Sequence, residues 1–248
     1  MAFVVGGHFY FAHACTLILG TSIINIMSEQ NGSFILEAGV RDFFGPHELH
    51  VTADPITTDP QLFREVCGQL GVKAHIIYNE TPQSESVPDY LTGSDYECTS
   101  AESLVELGRI ASGLRSAGIE VVREKIETTP WHPLAPKSAS DARRPGSYFE
   151  SHFTLPDLPT THGWKILKWR GNPLLISTTD NKRREGLLFA TLRHYESTSD
   201  EFCQTIEKFH AALAEQIEVK YPTVEFAVYD SNPTHDKKWV DSYAALQS

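Results

Sequence analysis

Residues 148–155 constrain the fold most, because their polar and apolar side chains largely alternate along the chain. Such alternation, with aromatic and β-branched residues, predicts a β-strand that buries one face. Residues two apart in a strand project to the same side, so Glu150, His152 and Thr154 share a face. Tyr148 continues that row. The other face carries the predicted buried residues, which are Phe149, Phe153 and Leu155.

Residues 48–53 repeat this arrangement. Glu48, His50 and Thr52 share one face of a predicted strand, and the three residues between and after them are apolar. The chain therefore contains the pattern Glu-x-His-x-Thr twice. Two such strands side by side would place two imidazoles and two hydroxyls around one small cavity. The alternative is that both histidines lie in solvent on edge strands.

The remaining patterns predict an α+β fold. Asp59-Pro60 begins a helix that ends at Gly71, and amphipathic helices begin near Ser100 and Ser199. Other strands are predicted at 33–39, 72–78, 119–127, 174–178, 186–193 and 224–229. A turn is predicted at 43–46, and loops at 79–98 and 129–147. This order predicts two α+β lobes, with antiparallel sheets, helices packed on the outer faces and a cleft between the lobes.

Residues 1–27 are rich in apolar residues and contain no Lys or Arg. They lack the positive start of a secretory signal, and polar residues and glycines interrupt the run that a membrane span needs. We therefore predict an N-terminal extension at 1–27, followed by one two-lobed catalytic domain at 28–248. The prediction is a cytoplasmic protein with no membrane partner. A membrane anchor or a secretory segment at 1–27 is the alternative.

The balance of charges limits the partners. A formal net charge of −11 argues against duplex DNA, but it leaves room for a nucleotide or short RNA end in a local basic pocket. The four cysteines lie far apart with no Cys-x-x-Cys pair, which favours reduced thiols over a disulfide framework or a zinc site.

The paired motifs suit proton transfer to and from a small anionic group. Histidine exchanges protons near neutral pH, so one imidazole can take a proton from the attacking oxygen while the other protonates the leaving oxygen. A threonine hydroxyl can donate to a phosphate oxygen as negative charge develops there. This scheme needs no metal and no other cofactor.

His50-Val51-Thr52 and His152-Phe153-Thr154 resemble the two signature motifs of the 2H phosphoesterase superfamily. The resemblance implies two α+β lobes around a cleft. It also implies a metal-independent hydrolase that acts on cyclic phosphates or 2′,5′-phosphodiesters of nucleotides and RNA ends. By this resemblance, His50 and His152 are the catalytic acid and base. Thr52 and Thr154 bind the phosphate.

Further residues are candidates for the substrate site. Arg123, Lys125 and Glu127 share one face of the predicted strand before the central one. They either line the cleft and orient the histidines or form an exposed charged face. Tyr148 either stacks on a base or belongs to the core.

Two basic stretches, Arg143-Arg144 and Lys182-Arg183-Arg184, either clamp phosphate or are solvated turns. His75 is interpreted as a structural histidine within its strand.

Two other classes of function remain open at this point. His47, His50, Glu150 and His152 could supply a mixed His/carboxylate metal site. The spacing of His47 and His50 differs from the helical His-Glu-x-x-His motif. The other alternative is a non-catalytic α+β module that binds a ligand.

Overall fold

The computed structural model describes residues 42–79, 88–141, 144–156, 168–169, 172–179, 187–215 and 217–236. The predicted N-terminal extension, the predicted strand at 33–39, Arg143 and the basic turn at 182–184 lie outside the described residues.

Nine strands and three helices make up the described part of the chain. The strands are β1 (Phe44–Ala53), β2 (Lys73–Asn79), β3 (Pro88–Thr99), β4 (Val121–Thr128), β5 (Tyr148–Pro156), β6 (Lys168–Trp169), β7 (Asn172–Thr179), β8 (Leu187–His194) and β9 (Thr223–Asp230). The helices are α1 (Pro60–Leu70), α2 (Ser100–Ser116) and α3 (Ser199–Ala214). All strand pairs are antiparallel, so the predicted α+β class is confirmed.

The strands form one curled sheet in the order β2-β3-β1-β4-β9-β5-β8-β7-β6, and β2 also pairs with β7. This last pairing closes eight of the strands into a barrel, with β6 attached to β7. The two halves of the chain have matching orders, β2-β3-β1-β4 and β7-β8-β5-β9. They join edge to edge at β4–β9 and at β2–β7. The two predicted lobes therefore enclose the barrel interior between them.

Each helix begins at a capping residue that the sequence supplies. The side chain of Asp59 accepts a hydrogen bond from the Leu62 amide before α1, and Gly71, at φ 75°, ends that helix. Capping boxes formed by Thr99 with its N3 glutamate, and by Thr198 with its own, begin α2 and α3. The predicted starts of all three helices are confirmed.

Two predicted irregular segments are strands instead. Residues 79–98 contain most of β3, and residues 43–46 contain the start of β1, so both predictions are wrong. β3 is polar because one of its faces lines a polar interior, which removes the usual hydrophobic signal. It also needs Gly93, since a Cβ there would collide with the imidazole of His75 on β2.

The sheet has an apolar outer face and a polar inner face. Leu49 and Val51 on β1, and Phe149 and Phe153 on β5, are fully buried in the core between the sheet and the helices. This confirms which residues of the two motif strands form the buried set. The cysteines within the described residues are free thiols. No helix of the described part is long and apolar enough to cross a membrane.

Candidate active site

The two Glu-x-His-x-Thr motifs lie on equivalent strands of the two halves. β1 and β5 each occupy the third position in their half of the barrel. Across from Glu48 on β1 stands Glu127 on β4, and across from Glu150 on β5 stands Glu225 on β9. These glutamates share the inner face with the histidines, so the motifs form a repeat that faces one enclosed space.

The histidines were expected on neighbouring strands, and this is wrong. β4 and β9 separate β1 from β5, because the halves join through those two strands. The two imidazoles nevertheless flank one carboxylate group. His50 Nε2 lies 3.0 Å from Glu127 Oε2. A carboxylate oxygen of Glu127 lies within 4.8 Å of a ring nitrogen of His152.

His50 is surrounded by hydrogen-bond acceptors. Its Nδ1 donates to the Thr92 carbonyl oxygen at 2.7 Å, while Nε2 faces Glu127 at 3.0 Å and Glu48 at 3.4 Å. Acceptors at both nitrogens favour the imidazolium form of the ring. Burial lowers the pKa of His50, but the hydrogen bond to Glu127 outweighs it, and the pKa lies above its ordinary value.

His152 is held by a hydroxyl rather than a carbonyl. Its Nδ1 lies 2.8 Å from Thr191 Oγ1, and its Nε2 lies 3.3 Å from Glu150 Oε1 and 3.7 Å from Glu225 Oε2. Desolvation lowers its pKa, but the hydrogen bond and the charge of Glu150 raise the pKa to about 9. The side chain is 40% exposed, against 11% for His50, so His152 is the more accessible imidazole.

Lys125 links the surroundings of the two histidines. Its Nζ donates to Glu127 Oε2 at 2.8 Å and to Glu150 Oε1 at 2.9 Å, and the residue is only 6% exposed. Lys125 therefore lines the interior and does not belong to an exposed charged face. Glu127 Oε1 is buried and has no hydrogen-bond partner among the described residues.

Arg123 closes one end of the interior with a buried ionic cluster. Its guanidinium donates two hydrogen bonds to Asp230, at 3.0 and 2.6 Å, and one to Asp236 at 3.0 Å. Arg193 on β8 donates to the same Asp236 oxygen at 2.9 Å. Asp236 follows β9, so the short turn after that strand crosses this end of the barrel. Arg123 is thus committed to the protein's own carboxylates.

Tyr148 belongs to the same cluster. Its hydroxyl accepts from Arg123 at 2.9 Å and donates to Asp230 at 3.1 Å, and the residue is 1% exposed. The Arg193 guanidinium lies over the Tyr148 ring, 4.5 Å from its centroid. The ring face on which a base was expected to stack is therefore covered, and burial in the protein is the alternative that the geometry favours.

The two threonines do not share one cavity as expected. Because neighbouring strands from β1 through β4 and β9 to β5 are antiparallel, β1 and β5 run in opposite directions. Thr52 is buried opposite Arg123, toward the closed end. Thr154 lies on the far side of His152 from Tyr148, and it is exposed. The hydroxyls thus lie on opposite sides of the histidine pair.

The predicted alternative metal site also needs correction. His47 lies on the outer face of β1, where its Nδ1 donates to the Gly45 carbonyl and its Nε2 lies 3.4 Å from Ser100 Oγ. It cannot join the inner histidines, because an odd number of positions separates it from His50 along the strand. A different set gathers inside: one ligand atom each from Glu127, Glu150, His152 and Glu225, all within 4.8 Å of one another.

Sequence reasoning missed Glu225, Thr191 and Arg193. Each lies in a strand that the sequence predicts correctly, where Glu225 and Thr191 have apolar neighbours on both sides and Arg193 follows Leu192. That alternation could have marked them as inner-face residues. Their proximity to His152 and Glu150 follows from the strand pairing, which the sequence pattern alone does not contain.

Comparisons with known proteins add no functional assignment. No family model and no curated protein matches the sequence. Among solved structures, the ligand-free regulatory subunit of aspartate kinase from Thermus thermophilus is similar, at 12% identity. The match covers 69% of this chain and 98% of that chain with a TM-score of 0.27, so no argument rests on it.

Proposed function

We propose that the protein is a metal-independent phosphodiesterase, acting in the barrel interior on a cyclic phosphate or a 2′,5′-linked nucleotide or RNA end. One observation carries the proposal. His50 and His152 are each held through Nδ1, and each directs Nε2 toward the same group of carboxylates. An imidazole fixed at one nitrogen can exchange a proton at the other, which is what general acid–base catalysis requires.

The partners at Nδ1 leave Nε2 of each histidine for proton transfer. The carbonyl of Thr92 accepts from Nδ1 of His50, and the hydroxyl of Thr191 can accept from Nδ1 of His152, whether or not Nε2 carries a proton. One imidazole takes the proton from the attacking water at Nε2, and the other gives its Nε2 proton to the leaving oxygen as the bond from phosphorus to that oxygen breaks.

The charges of the interior favour a small substrate. Carboxylates surround both histidines and oppose an anion, whereas the protonated histidine and Lys125 offset part of their charge. A phosphodiester monoanion adds only one negative charge to this interior. A long polyanion adds many, and the net charge of −11 opposes it further.

A panel of 2′,3′-cyclic nucleotides and 2′,5′-linked dinucleotides tests this function, with and without EDTA. The assay covers pH 6 to 9, because the scheme needs one histidine protonated and the other neutral, and the pKa of His152 is about 9. We expect hydrolysis of at least one member and no loss of rate with EDTA, because the scheme needs no metal. A preparation carrying His152→Ala controls for contaminating nucleases. No turnover beyond this control would contradict the function, and loss of turnover with EDTA would contradict the metal-independent mechanism.

A further inference from the structure

Three carboxylates and one imidazole converge in the barrel interior from neighbouring strands. Glu127 on β4, Glu225 on β9, and Glu150 and His152 on β5 each place a ligand atom within 4.8 Å of the other three. The glutamates are largely buried, with 2%, 13% and 1% of the side chains of Glu127, Glu225 and Glu150 exposed. Like charges held this close out of water need a counter-charge.

The positive groups that contact these carboxylates leave one buried oxygen atom without a partner in the part of the chain that the structure describes. Lys125 binds Glu127 through Oε2 and Glu150 through Oε1, while Arg193 binds the other oxygen of Glu150. Glu127 Oε1 is left buried with no hydrogen-bond partner among the described residues. A buried acceptor without a partner costs free energy. This oxygen therefore marks a place where a cation can accept its electron pair.

The ligand atoms are also oriented from behind, as metal ligands usually are. Thr191 Oγ1 holds Nδ1 of His152 and leaves Nε2 directed at the carboxylates, at 3.3 Å from Glu150. Arg193 holds the Glu150 carboxylate through Oε2, while Oε1 is the oxygen that faces His152. Such outer contacts fix the orientation of ligands and tune a metal site.

We propose that Glu127, Glu150, His152 and Glu225 form a site for one divalent transition-metal cation that inhibits the enzyme. A set of one imidazole nitrogen and three carboxylate oxygens suits Zn²⁺, whereas Mg²⁺ prefers oxygen ligands and retains its waters. The regulatory part rests on the proposed function. A cation that binds Nε2 of His152 occupies the lone pair through which this histidine exchanges its proton, so proton transfer stops in either role.

Calorimetric titration of the full chain with Zn²⁺ alone, and separately with Mg²⁺, tests the site. We expect one Zn²⁺ per chain and weaker binding of Mg²⁺. Glu225→Gln keeps the side-chain volume and removes one charged ligand, so it should weaken Zn²⁺ binding by about tenfold or more. Glu48→Gln is the matched control, because Glu48 also faces His50 at 3.4 Å but lies outside the four ligands. The visible spectrum of bound Co²⁺ gives an independent readout of the same loss.

The results separate the site from the function. Zn²⁺ binding that is equal in the Glu225→Gln and Glu48→Gln proteins, or absent from the unsubstituted chain, overturns the site. A site that binds Zn²⁺ and raises the rate of hydrolysis overturns both inhibition and the metal-independent mechanism. Binding that lowers the rate, with recovery on adding EDTA, is the expected result.

Discussion

The direction in which the pKa of a histidine is shifted depends, in this protein, on the side of the sheet on which the residue lies. His50 and His152, inside the barrel, have their pKa raised by carboxylates. His47 and His132, outside it, are buried around the hydroxyl of Ser100, and desolvation lowers the pKa of each. The carboxylates thus favour the charged form of the inner pair, and burial favours the neutral form of the outer pair. The same residue type carries the proposed proton transfer on one face of the sheet and packs in the core on the other.

His132 makes the stability of the fold depend on pH. His132 is 0% exposed. Burial, and next the charge of His47, lower its pKa to about 3. Between about pH 6.5 and 3 the unfolded chain therefore binds a proton at this residue that the folded protein does not bind. His132 does not lower the free energy of unfolding above pH 6.5, but it lowers that free energy as the pH drops toward 3, by up to about 1.4 kcal/mol per pH unit. Urea unfolding of the unsubstituted and His132→Asn proteins at pH 7, 6 and 5 should give a smaller pH slope for the variant. Equal slopes would contradict the neutral, buried state of His132.

At the scale of elements, the two halves repeat more than their motif strands. α2 and α3 each connect the third strand of a half to its fourth, and each begins at a capping box, in Thr99-Ser100-Ala101-Glu102 and Thr198-Ser199-Asp200-Glu201. The serine after each cap is buried. This pair of tetrapeptides is a trace of the repeat that can be read in the sequence.

The cap of α3 should contribute measurably to stability. Thr198 Oγ1 accepts from the Glu201 amide at 3.3 Å, and the Glu201 carboxylate accepts from the Thr198 amide at 2.9 Å. Thr198→Ala removes this first bond and should lower the free energy of unfolding by about 1 kcal/mol. Thr205→Ala is the matched control, since Thr205 Oγ1 bonds a carbonyl within the same helix. Urea unfolding that gives equal losses for both variants would contradict the capping role.

The alternation of polar and apolar residues predicts well which face of a strand is buried, but it predicts poorly which strands are neighbours in the sheet. The buried and inward residues of β1 and β5 follow from the period of two. β3 was missed because Thr92, Gly93 and Ser94 carry no hydrophobic signal, although the strand lies inside the sheet. The direction of β5 relative to β1, and with it the separation of Thr52 from Thr154, depends on how the two halves meet.

For the whole molecule, the two seams between the halves, which are the β4–β9 and β2–β7 pairings, close the barrel and bring the histidines together. The pairing of β4 with β9 joins residues about a hundred positions apart, such as Lys125 and Asp230, and such long-range contacts leave no local pattern in the sequence. The fold class and the face that Glu48 and Glu150 share with the histidines were therefore predictable, whereas the contacts of Glu127 with His50 and of Glu225 with His152 were not. Neither half covers its own sheet edges, so each half needs the other.

The two seams predict that the halves stay together after the connection between them is cut. A protease site placed at residues 142–143, in the segment between β4 and β5, leaves every described strand intact. The cleaved protein should elute as one species in gel filtration under native conditions, because β4–β9 and β2–β7 both hold the halves. Only 6 M guanidinium should separate them. Separation without denaturant would contradict a closed barrel.

The central claim is that His50 and His152 act together on one substrate inside the barrel, and turnover of the preferred substrate by His→Ala variants tests it most directly. Each single change should lower turnover by roughly 10² to 10⁴, and the double change should cost little more than the worse single change. His210→Ala, on the outer helix α3, should retain turnover, and circular dichroism should show all four variants folded. Full phosphodiesterase activity in the folded His50→Ala and His152→Ala proteins would contradict the account.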